Sequence, residues 1–115
     1  MGRADHKRLD DMREACALVA HLTSRGREAF ENDLAVLPAL ERTLEVLGEA
    51  ANHVSAETRA EYPSVPWNEI VRLRIRLAHH YHRTVPERIW VIATDDVPTV
   101  ARALGPSADE KRGDG

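Results

Sequence analysis

Arginine and histidine residues are concentrated in one short stretch of the chain, residues 72–83, which reads RLRIRLAHHYHR. The stretch holds four arginines, three histidines and one tyrosine, and no acidic residue interrupts it. Arginine can hold a phosphate through two parallel hydrogen bonds, and histidine exchanges protons near neutral pH. This composition predicts a site for an anionic ligand with proton-transfer groups beside it.

The charge of this region is opposite to that of the rest of the chain. Between residues 68 and 90, five arginines are set against two glutamates, so the segment carries +3. The whole chain carries −3, which leaves −6 for the remainder. A local cationic site on an acidic protein follows, although a basic run can also be no more than a solvated helix face.

Arg74 stands where the helical pattern calls for an apolar residue. An i, i+3, i+4 stripe begins at Trp67, Ile70 and Val71 and resumes at Leu77, Ala78 and Tyr81. Burying an unpaired charge costs several kcal/mol or more. Arg74 must therefore face a partner carboxylate, a cleft or an anionic ligand, and Glu49 is a candidate for the carboxylate.

Composition limits the kind of protein. With 115 residues, 43% of them hydrophobic and 30% charged, the chain predicts one globular domain over residues 1–104 and a flexible polar tail over 105–115. No long apolar run or signal-peptide pattern occurs, so a cytoplasmic location is expected, without membrane association. Cys16 is the single cysteine, which excludes an internal disulfide and a cysteine-based zinc cluster.

No metal or other cofactor is expected. A zinc site made of His79, His80 and His82 is disfavoured, because adjacent histidines on a helix point apart and no carboxylate or thiol nearby completes the ligand set. The five aromatic residues are too few for a sheet that stacks single-stranded RNA bases.

Hydrophobic spacing predicts helices along the first half of the chain. The first runs from about Asp5 to Ser24, and a short turn of helix follows over 27–31. The next long helix is expected to begin near Asn32 or Asp33 as a cap and to end near Ser55, with Pro38 bending it or marking its effective start. Gly48 and its small neighbours Ala50 and Ala51 would let another backbone come close.

The second half predicts two more long helices after a short one over 56–61. The proline-rich connector 62–66 leads into the arginine-bearing helix, which begins at Trp67 or Asn68 and runs to about His80. The last helix opens at Pro86, and Pro98 implies a kink, or a restart capped by Asp96. Strand patterns are absent, so the predicted fold is an all-α antiparallel bundle of four to five helices.

Three segments in register resemble a known family. Arg74, His79 and Tyr81 match an RxxxxHxY signature, and the stretches 44–51 (LEVLGEAA) and 62–67 (YPSVPW) lie at similar spacing before it. In this order they resemble the HepT-like toxins of the HEPN superfamily over roughly residues 5–104. The resemblance predicts a HEPN-type domain that forms a two-fold dimer.

The resemblance also implies a function. Such proteins are toxins of toxin–antitoxin systems, metal-independent endoribonucleases in which two RxxxxH motifs meet at the homodimer interface. Their partner is a minimal nucleotidyltransferase antitoxin that transfers AMP to the motif tyrosine. Carried over, Arg74 and His79 become the catalytic pair and Tyr81 the modification site, while Arg76, His80 and Arg83 are candidates for binding RNA phosphates.

Two features complicate this function. Five residues turn an ideal helix through about 500°, which leaves Arg74 and His79 about 140° apart unless the helix loosens near His79. Ile75 also departs from the family pattern, which commonly has asparagine after the motif arginine. A catalytically inactive HEPN module that binds a nucleotide or a nucleotidyltransferase partner is therefore the alternative.

Overall fold

The chain folds into helices joined by short connections. The computed structural model describes residues 2–79 and 85–107, without the side chains of residues 78 and 79. The helices in chain order are α1 (Arg3–Thr23), α2 (Gly26–Asn32), α3 (Val36–Asn52), α4 (Ala56–Ala60), α5 (Trp67–His79), α6 (Pro86–Val91), a π-helical segment (Ile92–Asp96) and α7 (Val97–Leu104). The described ranges contain no strand, which confirms the all-α prediction.

The core lies between the long helices, and α3 is at its centre. Helix α3 packs against α1 on one side and against α5 on the other, while α7 covers α1. Leu40, Leu44 and Leu47 are spaced three and four residues apart on α3 and are almost completely buried. Burying a leucine side chain contributes about 1.5–3 kcal/mol. This stripe therefore fixes which face of α3 meets its neighbours.

Helix α3 starts later than the sequence predicted. Asp33 does not cap it directly, because its Oδ1 accepts a hydrogen bond from the Ala35 backbone at 2.9 Å in the turn before the helix. Helix α3 begins at Val36, so Pro38 is its third residue. A proline in the first turn costs no helical hydrogen bond. Pro38 thus marks the effective start, as one of the two predicted options had it.

Ser55 caps the next helix. Helix α3 ends at Asn52, and the hydroxyl of Ser55 accepts a hydrogen bond from the Thr58 backbone at the start of α4. Asp5 on α1 joins this cap, because its carboxylate accepts hydrogen bonds from the hydroxyls of Ser55 and Thr58, each at 2.7 Å. The cap therefore ties the beginning of α1 to the α3–α4 connection.

The C-terminal helix changes its pitch. It was predicted to kink at Pro98 or to restart with Asp96 as a cap, but Asp96 has helical torsions and makes no capping hydrogen bond. A π-helical segment, Ile92–Asp96, joins α6 to α7 instead. Proline cannot donate to the carbonyl four residues before it and its ring crowds that carbonyl, so the wider turn preceding Pro98 gives it room.

Two contacts hold α6 against α2. The rings of Phe30 and Trp90 pack with centroids 4.9 Å apart, and the guanidinium of Arg27 lies over both. Arg27 also forms an ion pair with Glu87 in the first turn of α6. These contacts fix the helix that follows the histidine-rich stretch.

No helix in the described ranges combines the length and the apolar content that crossing a membrane requires.

Candidate functional site

The N-terminal end of α5 is anchored to the C-terminal end of α3. Arg59 donates hydrogen bonds to the carbonyl oxygens of Val54 at 3.1 Å and Ala51 at 3.0 Å, and its guanidinium lies 5.5 Å from the ring of Trp67. The indole of Trp67 donates to the carbonyl of Tyr62 at 3.1 Å. The first residue of α5 is thereby fixed relative to α3.

Helices α3 and α5 come closest at Gly48. A Cβ atom added there would lie 2.9 Å from the Ile70 carbonyl oxygen and 3.0 Å from both the backbone nitrogen and the Cβ of Arg74. These distances are shorter than normal contacts, so a larger residue cannot occupy position 48 without displacing α5. The predicted close approach of another backbone is confirmed at Gly48. The neighbouring backbone is that of α5, and it approaches Gly48 at Arg74.

Arg74 faces a carboxylate on α3. Its Nε lies 3.3 Å from Oε2 of Glu49. This is an ion pair without a linear hydrogen bond, because the buried Nε has no partner with hydrogen-bonding geometry. The Arg74 side chain is 37% exposed. The carboxylate expected from the sequence is therefore Glu49, and part of the Arg74 side chain remains accessible.

Glu49 is itself supported by a histidine. Nε2 of His53 donates to Oε1 of Glu49 at 2.9 Å, one helical turn further along α3. This hydrogen bond, followed by the positive charges of Arg74 and Arg8, holds the pKa of Glu49 below its ordinary value. Glu49 therefore stays ionised beside Arg74. Sequence reasoning assigned no role to His53, although the i, i+4 spacing of Glu49 and His53 was a signal for the pair.

The other arginines of α5 lie on a different face. Two residues turn a helix through about 200°, so Arg72 and Arg76 share one face while Arg74 occupies the opposite one. Arg72 and Arg76 line a groove of about 330 Å³ between α5 and the segment formed by the π turn and α7. The arginines of the cationic stretch thus lie in two separate places, Arg74 beside Glu49 and the other two at this groove.

The backbone of α5 remains α-helical through His79. The helix does not loosen between Arg74 and His79, so the rotation of about 140° between the two positions stands. The remaining predicted residues, His80, Tyr81 and Arg83, lie outside the described residues. The structure therefore locates Arg74, Arg76 and the backbone of His79.

Ile75 follows Arg74 on α5 with its side chain 47% exposed. The apolar side chain is not needed to fill the core at this position. A polar residue could stand there without burying a polar group.

Metal and cysteine chemistry find no support in the part of the chain that the structure describes. That part contains no cluster of three histidine, cysteine or acidic side chains able to hold a metal ion. Cys16 is buried, and burial raises the pKa of its thiol to about 11. A protonated, enclosed thiol is a poor nucleophile.

Sequence comparisons identify a family and relatives for this chain. A family model described as ribonuclease HepT-like matches residues 12–105. A "probable ribonuclease HepT" of Thermococcus cleftensis is 30% identical over 101 residues, which cover 87% of this chain and 92% of the relative.

Two further relatives carry provisional RNase names. One, from Methanocaldococcus jannaschii, is 36% identical over 75 residues, which cover 65% of this chain and 69% of the relative. The other, from Caldanaerobacter subterraneus, is 29% identical over 93 residues, or 81% and 83%. No solved structure gives a significant match.

The bundle and its arginine-bearing helix define an all-α domain of HEPN type. Since the family model spans most of the chain, the protein belongs to the HepT-like ribonuclease family.

Proposed function

We propose that this protein is the toxin of a cytoplasmic toxin–antitoxin system and cleaves RNA without a metal ion. The observation that carries the proposal is the placement of Arg74. Its guanidinium is held through Nε by Glu49 at the α3–α5 contact, on the helix that also contains His79. The family and the names of the relatives favour RNA as substrate.

The reaction needs a proton acceptor, a proton donor and positive charge. The 2′-oxygen of the ribose attacks the adjacent phosphorus and loses its proton to one histidine, while the bond from phosphorus to the 5′-oxygen breaks and that oxygen receives a proton. The products are a 2′,3′-cyclic phosphate and a 5′-hydroxyl. In this proposal His79 transfers the protons and Arg74 stabilises the charged phosphorane.

A composite site explains how the two residues cooperate. Within one chain, positions 74 and 79 lie about 140° apart around α5. In a two-fold homodimer the motif of one protomer faces that of its partner, which supplies two imidazoles and two guanidiniums to one cleft. Arg76, His80 and Arg83 are proposed to bind the phosphates on either side of the cleavage point.

The cognate minimal nucleotidyltransferase antitoxin is proposed to silence the enzyme. Transfer of AMP to the hydroxyl of Tyr81, with release of pyrophosphate from ATP, would add bulk and negative charge beside the cationic site. Periodicity places position 81 on the same helical face as position 74 if α5 continues that far. Loss of silencing in a Tyr81→Phe variant, with cleavage retained, is the expected result.

The test of catalysis uses the purified homodimer, RNA and a chelator. We expect cleavage that leaves cyclic phosphate ends, and we expect His79→Ala to abolish it while circular dichroism stays unchanged. His21→Ala, an exposed histidine on α1, is the matched control. Cleavage by the His79→Ala variant at the normal rate would reject the assignment.

A catalytically inactive module that binds a nucleotide or a nucleotidyltransferase partner is the second candidate. The exposed Ile75 in place of the usual polar residue favours it. Expression of the chain alone in a bacterium separates the two candidates. The nuclease predicts growth arrest that His79→Ala relieves, and the inactive module predicts normal growth for both.

A further inference from the structure

The groove between α5 and the C-terminal helix is separate from the Arg74–Glu49 contact. Its volume of about 330 Å³ lies at the lower end of the range for ligand sites. Its apolar lining includes Leu47 on α3, Ile70 and Leu73 on α5, and Ile92 on the π-helical segment. Leu73 and Ile92 are only partly buried, so the groove presents an apolar surface to a ligand.

Four charged side chains also line the groove, and they form no ion pairs with one another. Arg72, Arg76, Glu69 and Asp96 are all exposed. None of them takes part in the ion pairs formed among the described residues. Partial desolvation, and then the carboxylates of Asp95 and Glu69, raise the pKa of Asp96. Cations and hydrogen-bond acceptors are thus both available to a ligand.

Helical periodicity relates the groove to position 79. Position 79 follows Arg76 by three residues and Arg72 by seven, so helical periodicity assigns all three positions to one face of α5. A ligand that contacts Arg76 would therefore lie within one turn of the position proposed to transfer protons. Within a single chain, these arginines rather than Arg74 share the face of position 79.

We propose that this groove is a nucleotide subsite for single-stranded RNA, which rests on the proposed nuclease function. Arg72 and Arg76 bind a backbone phosphate next to the cleavage point, and the apolar lining packs against the base. Asp96 and Glu69 accept hydrogen bonds from the amino groups at the base edge. The groove thereby determines which nucleotide sits beside the cleavage point.

The arrangement of charges predicts a base preference. Ionised carboxylates only accept hydrogen bonds. Cytosine, adenine and guanine present an exocyclic amino group, whereas uracil presents carbonyl oxygens on both sides of its one N–H. The two acids should therefore favour amino-bearing bases over uracil, which is the discrimination expected when carboxylates contact base edges.

The shape of the groove favours RNA over a second copy of the chain. A two-fold contact centred here would set one concave surface against another and leave both unfilled. Stable protein interfaces at their centre are packed as closely as protein interiors. A stacked base, in contrast, fills a narrow groove and leaves its phosphate at the rim beside the arginines.

The test measures binding by the full-length His79→Ala protein, so that cleavage cannot interfere. Fluorescence anisotropy with short labelled oligo(C) and oligo(U) should show about tenfold tighter binding of oligo(C). Asp96→Asn should bring the two affinities close together. Arg76→Gln should weaken both equally and reduce the slope of log affinity against log salt by about 0.7, as expected for one lost phosphate contact to a single strand.

Two neighbouring variants serve as controls. Asp95→Asn removes an exposed acid that does not line the groove, and Arg102→Gln removes an exposed arginine of α7. Both should keep the base preference. If Asp96→Asn and Arg76→Gln bind like the controls, or if light scattering shows that they disrupt the dimer, the subsite is refuted. If the wild-type protein binds selectively but does not cleave RNA, the nuclease function is refuted and the assignment of the groove as a nucleotide subsite is retained.

Discussion

Nε of Arg74 lies 3.3 Å from Oε2 of Glu49 without forming a linear hydrogen bond. The carboxylate thus engages one nitrogen of the guanidinium by charge, while the fork formed by the two terminal nitrogens is the part suited to a phosphate. A structural ion pair and a catalytic arginine are therefore compatible at this position. Glu49 is placed to orient Arg74, which makes it a positioning residue in the proposed reaction.

Replacing Glu49 should reduce turnover more than substrate binding. A guanidinium that is no longer oriented adopts several positions, and small misplacements cost up to about a hundredfold in rate. We expect Glu49→Ala to lower kcat by about tenfold to a hundredfold with little change in KM, and Glu49→Gln to lower it less because the amide oxygen still accepts.

Steady-state cleavage of a fluorogenic RNA measures this effect. Glu45→Gln is the matched control, because Glu45 lies one turn earlier on α3 and pairs with Arg42 at 3.4 Å. Equal rates for Glu49→Ala and the control would show that Glu49 does not position Arg74.

Gly48→Ala should destabilise the fold despite the higher helix propensity of alanine. That propensity contributes about 1 kcal/mol, whereas inserting a methyl group into a tight contact typically costs about 1–3 kcal/mol. The α5 backbone accounts for two of the three close contacts, and backbone yields less easily than a side chain. Urea denaturation should show a net loss, with Gly2→Ala, which has open space around it, unchanged. A gain in stability at position 48 would mean that α5 is further from α3 than described.

Ile75→Asn should increase RNA cleavage. The side chain is 47% exposed, so asparagine buries no polar group there and should change stability by less than about 1 kcal/mol. A hydrogen-bonding group next to Arg74 can contact the phosphate, and such groups commonly change rates by about tenfold or more. Val91→Asn alters a comparably exposed apolar residue on α6 and should leave the rate unchanged. If Ile75→Asn also leaves it unchanged, the residue after the arginine does not limit activity.

Asp5→Asn should weaken the fold at neutral pH and reduce its sensitivity to acid. Hydrogen bonds from Ser55, and then from Thr58, hold the pKa of Asp5 below its ordinary value. The ionised carboxylate therefore stabilises the folded state above that ordinary value, and the contribution is lost as the pH falls below about 4 through the lowered pKa.

Thermal unfolding between neutral and acid pH tests this effect. The melting temperature of Asp5→Asn should be lower at neutral pH, and its gap to the wild type should narrow as the pH falls. Asp11→Asn removes a carboxylate of α1 whose ion pair with Lys7 is long, at 3.8 Å, and should behave like the wild type. A gap that stays constant with pH would mean that the Asp5 charge is not what ties α1 to α4.

The fold was largely predictable because its helices follow regular hydrophobic spacing. Leu40, Leu44 and Leu47 indicated the buried face of α3, and Gly48 indicated a close neighbour. The predicted start of α3 was wrong, because an aspartate such as Asp33 can either cap a helix or stabilise a turn. Tertiary packing decides between these two roles. The π turn before Pro98 was not predictable, because a kink, a restart and a wider turn all accommodate a proline.

The candidate site was predictable in part. The interruption of an apolar stripe by Arg74 required a carboxylate partner, a cleft or an anionic ligand, and Glu49 is the carboxylate. The sequence did not predict the groove beside Arg76. Its lining includes Arg72 and Asp96, which come together only because two helices distant in sequence pack against each other. Periodicity along one helix cannot supply that information.

The π-helical segment between α6 and α7 determines where the chain can lose a residue without disturbing the helices. A π turn accommodates one residue more than an α-helical turn, so the helices on either side keep their orientation. Ile89 before it and Val97 after it both face the interior. Deleting a single amino acid within residues 92–96 should therefore be tolerated, whereas the same deletion in the middle of α5 would turn every later side chain by about 100° and separate the two halves of the motif.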